Sequence, residues 1–239
     1  MNQSYSVIAK YYDKFTNKDC DYEGWSQYLY SVASRHNARE VVDIACGTAK
    51  ITKPLVDMGL KVIGVDQSEQ MLGLARAKCK AQFVMQDMRK LQLAHAVDMA
   101  VCVNDGVNYL TPSELQQFFE RVAASVKQGA PFVFDISSEY KLTNIVGNNV
   151  FYWDDDTETL LWANSLKGNC VEMNLTLFVE QEDGAYTRCD ERHVQYVHSV
   201  VTISNALLKA GFDLVEITSE YGKQLTDNAE RITFYAVKR

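Results

Sequence analysis

The chain has 239 residues, 47% of them apolar, with a formal net charge of −7. That length suits one large α/β domain, or one domain carrying a sizeable insertion, and roughly 70–75% of the unfolded surface can then be buried without a metal or disulfide to hold the fold. The cysteines at 20, 46, 79, 102, 170 and 189 make no CxxC pair and no Cys/His cluster of metal-ligand spacing, the start MNQSYSVIAKYYDKF lacks a long apolar core, and no apolar run nears the roughly 20 residues of a membrane span, so a soluble, cytoplasmic, metal-free protein is expected.

The front end predicts two helices, Ser4 to Phe15 and Tyr22 to His36, the second with Trp25, Tyr28, Leu29 and Val32 at helical spacing. The period then changes. Apolar strands are expected at 41–45, 60–66, 81–87, 97–105 and 131–137, with helices at Lys50–Met58, Glu69–Lys78 and Pro112–Lys127 between them. Thr111 is the expected N-cap of the last helix and Gly129 its stop. Strand–helix alternation with nearly continuous apolar strands predicts a parallel sheet covered on both faces.

After Ser138 the alternation stops. Residues 171–179 and, more loosely, 187–197 alternate apolar and polar side chains about Glu182-Asp183-Gly184, a hairpin signal. A small antiparallel sheet inserted at 138–200 is expected there, dividing the chain into 1–137, 138–200 and 201–239. The inserted segment holds 11 acidic and 4 basic residues, against 20 of each in the rest, so it carries the whole net charge. A chain gripping phosphates shows a basic stripe instead, which disfavours nucleic acid as a partner. The acid could draw in a cationic or amine ligand by long-range attraction. Helix 201–210 and strands 212–218 and 231–237 close the chain, the last two as a tight hairpin adding one antiparallel strand to the sheet.

Ligands of open α/β sheets bind beyond the carboxyl ends of the strands, and the candidate residues all fall at such ends. Asp43-Ile44-Ala45-Cys46-Gly47-Thr48 ends the first strand; small residues at 45, 47 and 49 admit a ligand close to the backbone, and a helix starting just after turns its amides toward the site. The spacing is not the GxGxxG of dinucleotide binders. Asp66 ends the second strand and suits ribose hydroxyls. Asp87 and Met88 follow the third, an acceptor for an exocyclic amine and a packing surface for a flat ring. Val103 and the polar cluster Asn104 to Tyr109 end the fourth, where a transferred group would lie.

The ordered set DIACGTAKIT, GVDQSEQML, QDMRKL, DMAVCVNDGVNYL and FDIS resembles the class I S-adenosylmethionine-dependent methyltransferases over about residues 37–137 and the chain end. AKYYDKF, DYEGW and the tail ERITFYAVKR are similar to a bacterial subgroup with a β-sheet insertion over the active site, which includes amino-sugar N-methyltransferases. The resemblance implies a Rossmann-like seven-stranded, mostly parallel sheet with one antiparallel strand, and S-adenosylmethionine as cofactor. It implies that Asp43 and the backbone of Ala45, Cys46 and Gly47 hold the methionine portion. Asp66 would bind the ribose with Gln67 and Met71 flanking it, Asp87 and Met88 would bracket the adenine, Val103 and Asn104 would complete the cofactor side, and Tyr12 and Trp25 would close over the methionine end. Ala49 replaces the usual third glycine, at a place where alanine is expected to tolerate a helical backbone.

The expected chemistry is in-line displacement of the sulfonium methyl onto a small-molecule acceptor, an amine among the candidates, with alignment and exclusion of water as the main requirements. Tyr12, Asn108 and His193 are the acceptor-side candidates. No [DN]PP[YF] follows the fourth strand and no Pro-Cys pair or CxxxCxxC occurs, so amide or adenine-N6 methylation, cytosine-C5 attack and radical chemistry lack their motifs. A methyltransferase acting on RNA or protein, and a nucleotide-binding protein that transfers nothing, stand as the alternatives. The motifs are silent on the acceptor and on the oligomeric state.

Overall fold

The computed structural model describes residues 8–16 and 20–239. Two helices, α1 (Ala9–Thr16) and α2 (Tyr22–Arg35), precede the first strand; positions 4–7 of the expected first helix lie outside the described residues. The Asp21 side chain caps α2 by accepting from the Gly24 N–H, as an N-cap aspartate should.

The main sheet has seven strands: β1 (Glu40–Ile44), β2 (Lys61–Asp66), β3 (Gln82–Met85), β4 (Met99–Cys102), β5 (Pro131–Ser137), β10 (Phe212–Thr218) and β11 (Arg231–Lys238). Their order is β10-β11-β5-β4-β1-β2-β3. β11 runs antiparallel to both its neighbours and the remaining pairs are parallel. The central strands are apolar on both faces, and β4 and β5 are buried throughout. Helices α3 (Thr52–Asp57), α4 (Glu69–Lys78), α5 (Leu115–Ser125) and α6 (Val200–Lys209) complete the α/β layer.

One face of the sheet is covered through a row of phenylalanines. Phe118, Phe119, Phe132, Phe134, Phe212 and Phe234 are fully buried, and Phe134 stacks on Phe234 with centroids 5.0 Å apart. Burying each such ring contributes about 1.5–3 kcal/mol. The other face packs on α2 through Trp25, Leu29 and Val32. In the middle of β2, a Cβ on Gly64 would lie 2.6 Å from the Phe83 ring and 2.9 Å from Cys46 Sγ, so only glycine lets the neighbouring strand and the loop after β1 close in.

A second, antiparallel sheet stands apart, ordered β6 (Val150–Asp154), β7 (Glu158–Lys167), β8 (Cys170–Glu180) and β9 (Tyr186–Tyr196). Only β8 and β9 were legible in the alternation; β6 and β7 are added by the structure. A single π-helical turn, Lys141–Val146, leads into it. The last two strands are not tightly joined, because residues 219–230 separate them and Tyr221 from that link packs edge-on against Trp25.

Four elements also differ in their ends from expectation. The helix after Thr111 begins at Leu115, because the Thr111 hydroxyl donates to the Glu114 side chain at 2.8 Å rather than capping backbone amides. The third and fourth strands are shorter than 81–87 and 97–105, because the residues after them turn into the cleft described next. The helix after β1 is six residues, not nine.

Candidate active site

The chain crosses from β3 back to β4 on the far side of β1, which puts the topological switch point between β1 and β4. A cleft of about 900 Å³, open to solvent, lies at the carboxyl ends of these strands. Its lining includes Asp43, Ala45, Cys46, Gly47, Thr48, Asp66, Gln67, Met71, Met88, Val103 and Asn104 from the strand ends, and Tyr12 and Tyr22 from the front helices.

The loop after β1 is built from alternating left-handed residues. Ala45, Gly47 and Ala49 have φ of 58°, 53° and 66°. Ala49 is therefore left-handed where a helical backbone was expected, at a cost of roughly 1–2 kcal/mol for a residue with a Cβ. Because the helix starts only at Thr52, it is this loop, not a helix end, that turns backbone toward the cleft.

Asp66 locks that loop. Its Oδ2 accepts from the Gly47 N–H and its Oδ1 from the Ser68 N–H, both at 2.9 Å. Ser68 caps α4 itself by accepting from Met71 N–H, so Asp66 is spared that task. Each carboxylate oxygen keeps a further lone pair, able to accept hydroxyls from the cleft. Burial raises the Asp66 pKa, against the pull of its backbone donors. Asp43, 2% exposed, accepts from Thr52 Oγ1 at 2.5 Å. Burial lifts its carboxyl to about 7, against that hydrogen bond and with the Asp66 charge adding to the rise.

The far wall of the cleft comes from α1 and the turn after β4. Asn104 Nδ2 donates to Tyr12 Oη at 3.0 Å, and burial holds the Tyr12 phenol well above its ordinary pKa, so it stays protonated. Tyr109 also lines the cleft. Its hydroxyl is 3.4 Å from His193 Nδ1, and His193 Nε2 is 3.2 Å from Glu191 Oε2. The other Glu191 oxygen accepts from the Ile8 N–H at 2.8 Å. Lys50 also lines the cleft, its Nζ 5.1 Å from the centroid of the Tyr22 ring.

Known proteins agree on what such a cleft belongs to. The methyltransferase domain family matches residues 41–129. A protein of Geobacillus sp. (strain WCH70) named as a methyltransferase is 33% identical over 98% of this chain and 100% of its own length. A Streptomyces fradiae dTDP-3-amino-3,6-dideoxy-alpha-D-glucopyranose N,N-dimethyltransferase is 31% identical over 78% of this chain and 76% of its own. The crystal structure of an S-adenosylmethionine-dependent methyltransferase from Clostridium acetobutylicum superposes with a TM-score of 0.89 at 30% identity, covering 99% of both chains. The chain is a class I S-adenosylmethionine-dependent methyltransferase.

The cleft of this methyltransferase has the chemistry its cofactor requires. The carboxyl groups of Asp43 and Asp66 suit hydroxyls, the thioether and aliphatic side chains of Met71, Met88, Val65 and Val103 suit a flat base, and the Lys50 ammonium offers donors. Of the residues expected on the cofactor side, Trp25 and Asp87 do not line the cleft. The Trp25 indole is 1% exposed and packed in the core against Tyr28 and Tyr221, and it is Tyr22, one turn earlier on α2, that faces in. The Asp87 carboxylate caps the 3-10 turn Met88–Lys90 and is bound by the Arg89 side chain; Gln86 and Met88 line the cleft on either side of it.

The acceptor-side candidates also separate. Tyr12 lines the cleft and His193 stands one hydroxyl behind it. Asn108 does neither: it is fully buried, donates to the Ser137 and Tyr196 carbonyls at 3.2 and 3.0 Å, and accepts from Ser137 N–H at 2.8 Å. Its amide staples the turn after β4 to β5 and β9. The acidic run Asp154 to Asp156 is exposed on the rim, where Asp155 pairs with Lys14 of α1 at 2.8 Å.

Proposed function

We propose that this methyltransferase moves the methyl group of S-adenosylmethionine to an amine nitrogen of a small molecule, in the cytoplasm. Asp66 accepts the ribose hydroxyls, Met71 and Met88 sandwich the base, and the loop 45–49 with Lys50 receives the amino-acid end. Residues 138–200 act as the lid on the acceptor side. Six unpaired thiols suit a reducing compartment.

The observation that carries the amine reading is the string Tyr109–His193–Glu191. The His193 and Glu191 side chains are 3% and 4% exposed, out of bulk water. An imidazole that donates from Nε2 to Glu191 must accept at Nδ1, so the string is polarised to draw a proton from the Tyr109 hydroxyl and, through it, from the cleft. S-adenosylmethionine supplies a methyl group already activated on a sulfonium sulfur. What the protein must supply is a nucleophile with a lone pair. An alkyl amine, with a pKa near 10 like lysine, arrives protonated at neutral pH, and the string behind Tyr109 gives that proton somewhere to go. A hydroxyl, closer to the roughly 15.7 of water, holds its proton far more tightly. The Streptomyces fradiae relative, whose name gives an amino sugar as its substrate, supports the same reading.

A panel of amines, amino sugars and hydroxy acids, read out by S-adenosylhomocysteine release, tests it. Turnover is expected on amines, and His193→Gln is expected to lower kcat by about 10²-fold near pH 7, the usual contribution of a proton-transfer group. The loss should shrink at higher pH as free amine accumulates. Turnover confined to hydroxy acids, or a His193→Gln variant at the wild-type rate, would contradict the proposal.

A further inference from the structure

The turn after β4 holds a conformation that its residues resist. Asn104 and Asp105 are consecutive, neither is glycine, and both are left-handed, with φ of 66° and 56°. Such strain persists only where the surroundings over-determine it. Here they do so from three distant parts of the chain. The Asp105 N–H donates to Asp135 at 3.3 Å. Asp135, fully buried at the end of β5, is paired with Arg231, the first residue of β11 and itself only 7% exposed. Arg231 Nη1 stands 3.5 Å from Asp105 Oδ1, while its Nη2 donates to Asn104 Oδ1 at 3.2 Å. The second Asp105 oxygen accepts from Gln195 Nε2 of β9 at 2.6 Å.

The direction of these bonds follows from donor and acceptor identity alone. A guanidinium only donates, so the atom of Asn104 that faces Arg231 is the carbonyl oxygen. The amide nitrogen of Asn104 must then be the atom that faces Tyr12, and it too only donates. Tyr12 is thereby made the acceptor in that bond, and its own proton is committed to a different direction. Without Arg231 the Asn104 amide is free to turn over and present its oxygen, which would reverse the sense of the Tyr12 hydroxyl. Arg231 does not line the cleft, yet it decides how a residue that does line it is presented.

We propose that Arg231 is a positioning residue for methyl transfer: through Asn104 it fixes the hydrogen-bonding sense of Tyr12 over the cofactor, and through Asp105 and Gln195 it ties that setting to the four-stranded sheet. The proposal needs the cofactor cleft but not the amine reading. Nothing in the cleft-lining sequence motifs points to it, since Arg231 lies 127 residues from Asn104.

Calorimetric titration of S-adenosylmethionine into the wild type, Arg231→Lys, Tyr12→Phe and the double variant tests it. Lysine keeps the charge beside Asp135 but lacks the planar fork that serves two partners. Each single variant is expected to weaken binding about fivefold, the worth of one neutral hydrogen bond. The double variant should bind within about twofold of Tyr12→Phe alone, because Arg231 acts through Tyr12. Independent effects, giving about 25-fold weakening in the double variant, would overturn the proposal, as would unchanged affinity in Arg231→Lys. Should Arg231→Lys fail to fold, Asn104→Asp, which keeps the shape but offers no N–H to Tyr12, takes its place in the same cycle: a double variant within about twofold of Tyr12→Phe supports the proposal, and additive weakening overturns it.

Discussion

The two sheets of this methyltransferase are built into the molecule by different means. At the seven-stranded sheet, the cofactor cleft is made from short stretches at successive strand ends: the left-handed loop after β1, the Asp66 carboxylate, Gln67 and the Met88 thioether. Each stretch is local, and its chemistry is carried by residues within a few positions of one another. The four-stranded sheet stands behind the cleft wall and is tied to the rest of the chain through pairs far apart in sequence: Tyr109 with His193, Asp105 with Gln195, Glu191 with the Ile8 amide. The contrast teaches that a cofactor common to a family can be held by short motifs, whereas a second element docked beside the cleft is tied in by side-chain pairs far apart in sequence.

The comparison can be broken first at its seam. Arg231 and Asp135, both on the seven-stranded sheet, hold Asp105, which Gln195 of β9 ties to the other sheet, and Arg231→Met would leave Asp135 buried without its partner. That should cost about 3–5 kcal/mol of stability, measured by urea unfolding. A loss under about 1 kcal/mol would mean that the halves do not share this anchor.

The second effect belongs to the cofactor half alone. The buried Asp43 carboxyl is lifted to about 7 in the folded protein, against about 3.9 when unfolded. Between those values the unfolded chain has released the proton and the folded one keeps it, so raising the pH favours unfolding. The stability advantage of Asp43→Asn over the wild type is therefore expected to grow from pH 4 to 7, by about 2–4 kcal/mol, and to level off above that. An advantage that shrinks over this range would contradict the assignment.

A smaller effect separates the loop after β1 from the helix expected there. In a helix, Ala49→Gly would cost about 1 kcal/mol. At φ of 66° glycine relieves strain instead, so stability should be unchanged or up to about 1 kcal/mol higher. A loss of about 1 kcal/mol would restore the helical reading. The smallest effect is expected on the acceptor side. Asp155 and Glu158 are held by Lys14 on the rim, and exposed pairs of this kind contribute about 0–1 kcal/mol. Replacing Asp154, Asp155 and Asp156 by Asn should shift the acceptor KM by less than about twofold at low salt. A several-fold rise that salt abolishes would show that the rim steers the acceptor after all.

The same contrast explains what the sequence made legible. The strand ends carrying Asp43, Asp66 and Met88 were visible because continuous apolar strands betray a two-faced parallel sheet and each ends in a short polar signature. The overall class of both sheets was visible too. β6 and β7 were not, because β6 is exposed along nearly all its length and β7 is irregularly buried, which erases the period-two pattern. Trp25 looked like a cleft residue because its spacing identifies a helix but not the helix's rotation; the structure turns Tyr22 inward instead. Asp87 and Asn108 looked like ligand groups because a polar side chain at a strand end reads the same whether it faces a ligand or caps its own backbone. Arg231 lies in the tail ERITFYAVKR, but nothing in that stretch marks a role at the cleft, since its partners lie 96 to 127 residues away.

The central claim is that S-adenosylmethionine sits at these strand ends with Asp66 as its anchor. Titration of S-adenosylmethionine into the wild type and Asp66→Ala tests it most directly. Loss of a hydrogen bond to a charged acceptor costs about 1.5–3 kcal/mol, so binding should weaken at least about tenfold in the variant. An Asp66→Ala protein that folds and binds S-adenosylmethionine as tightly as the wild type would contradict the account.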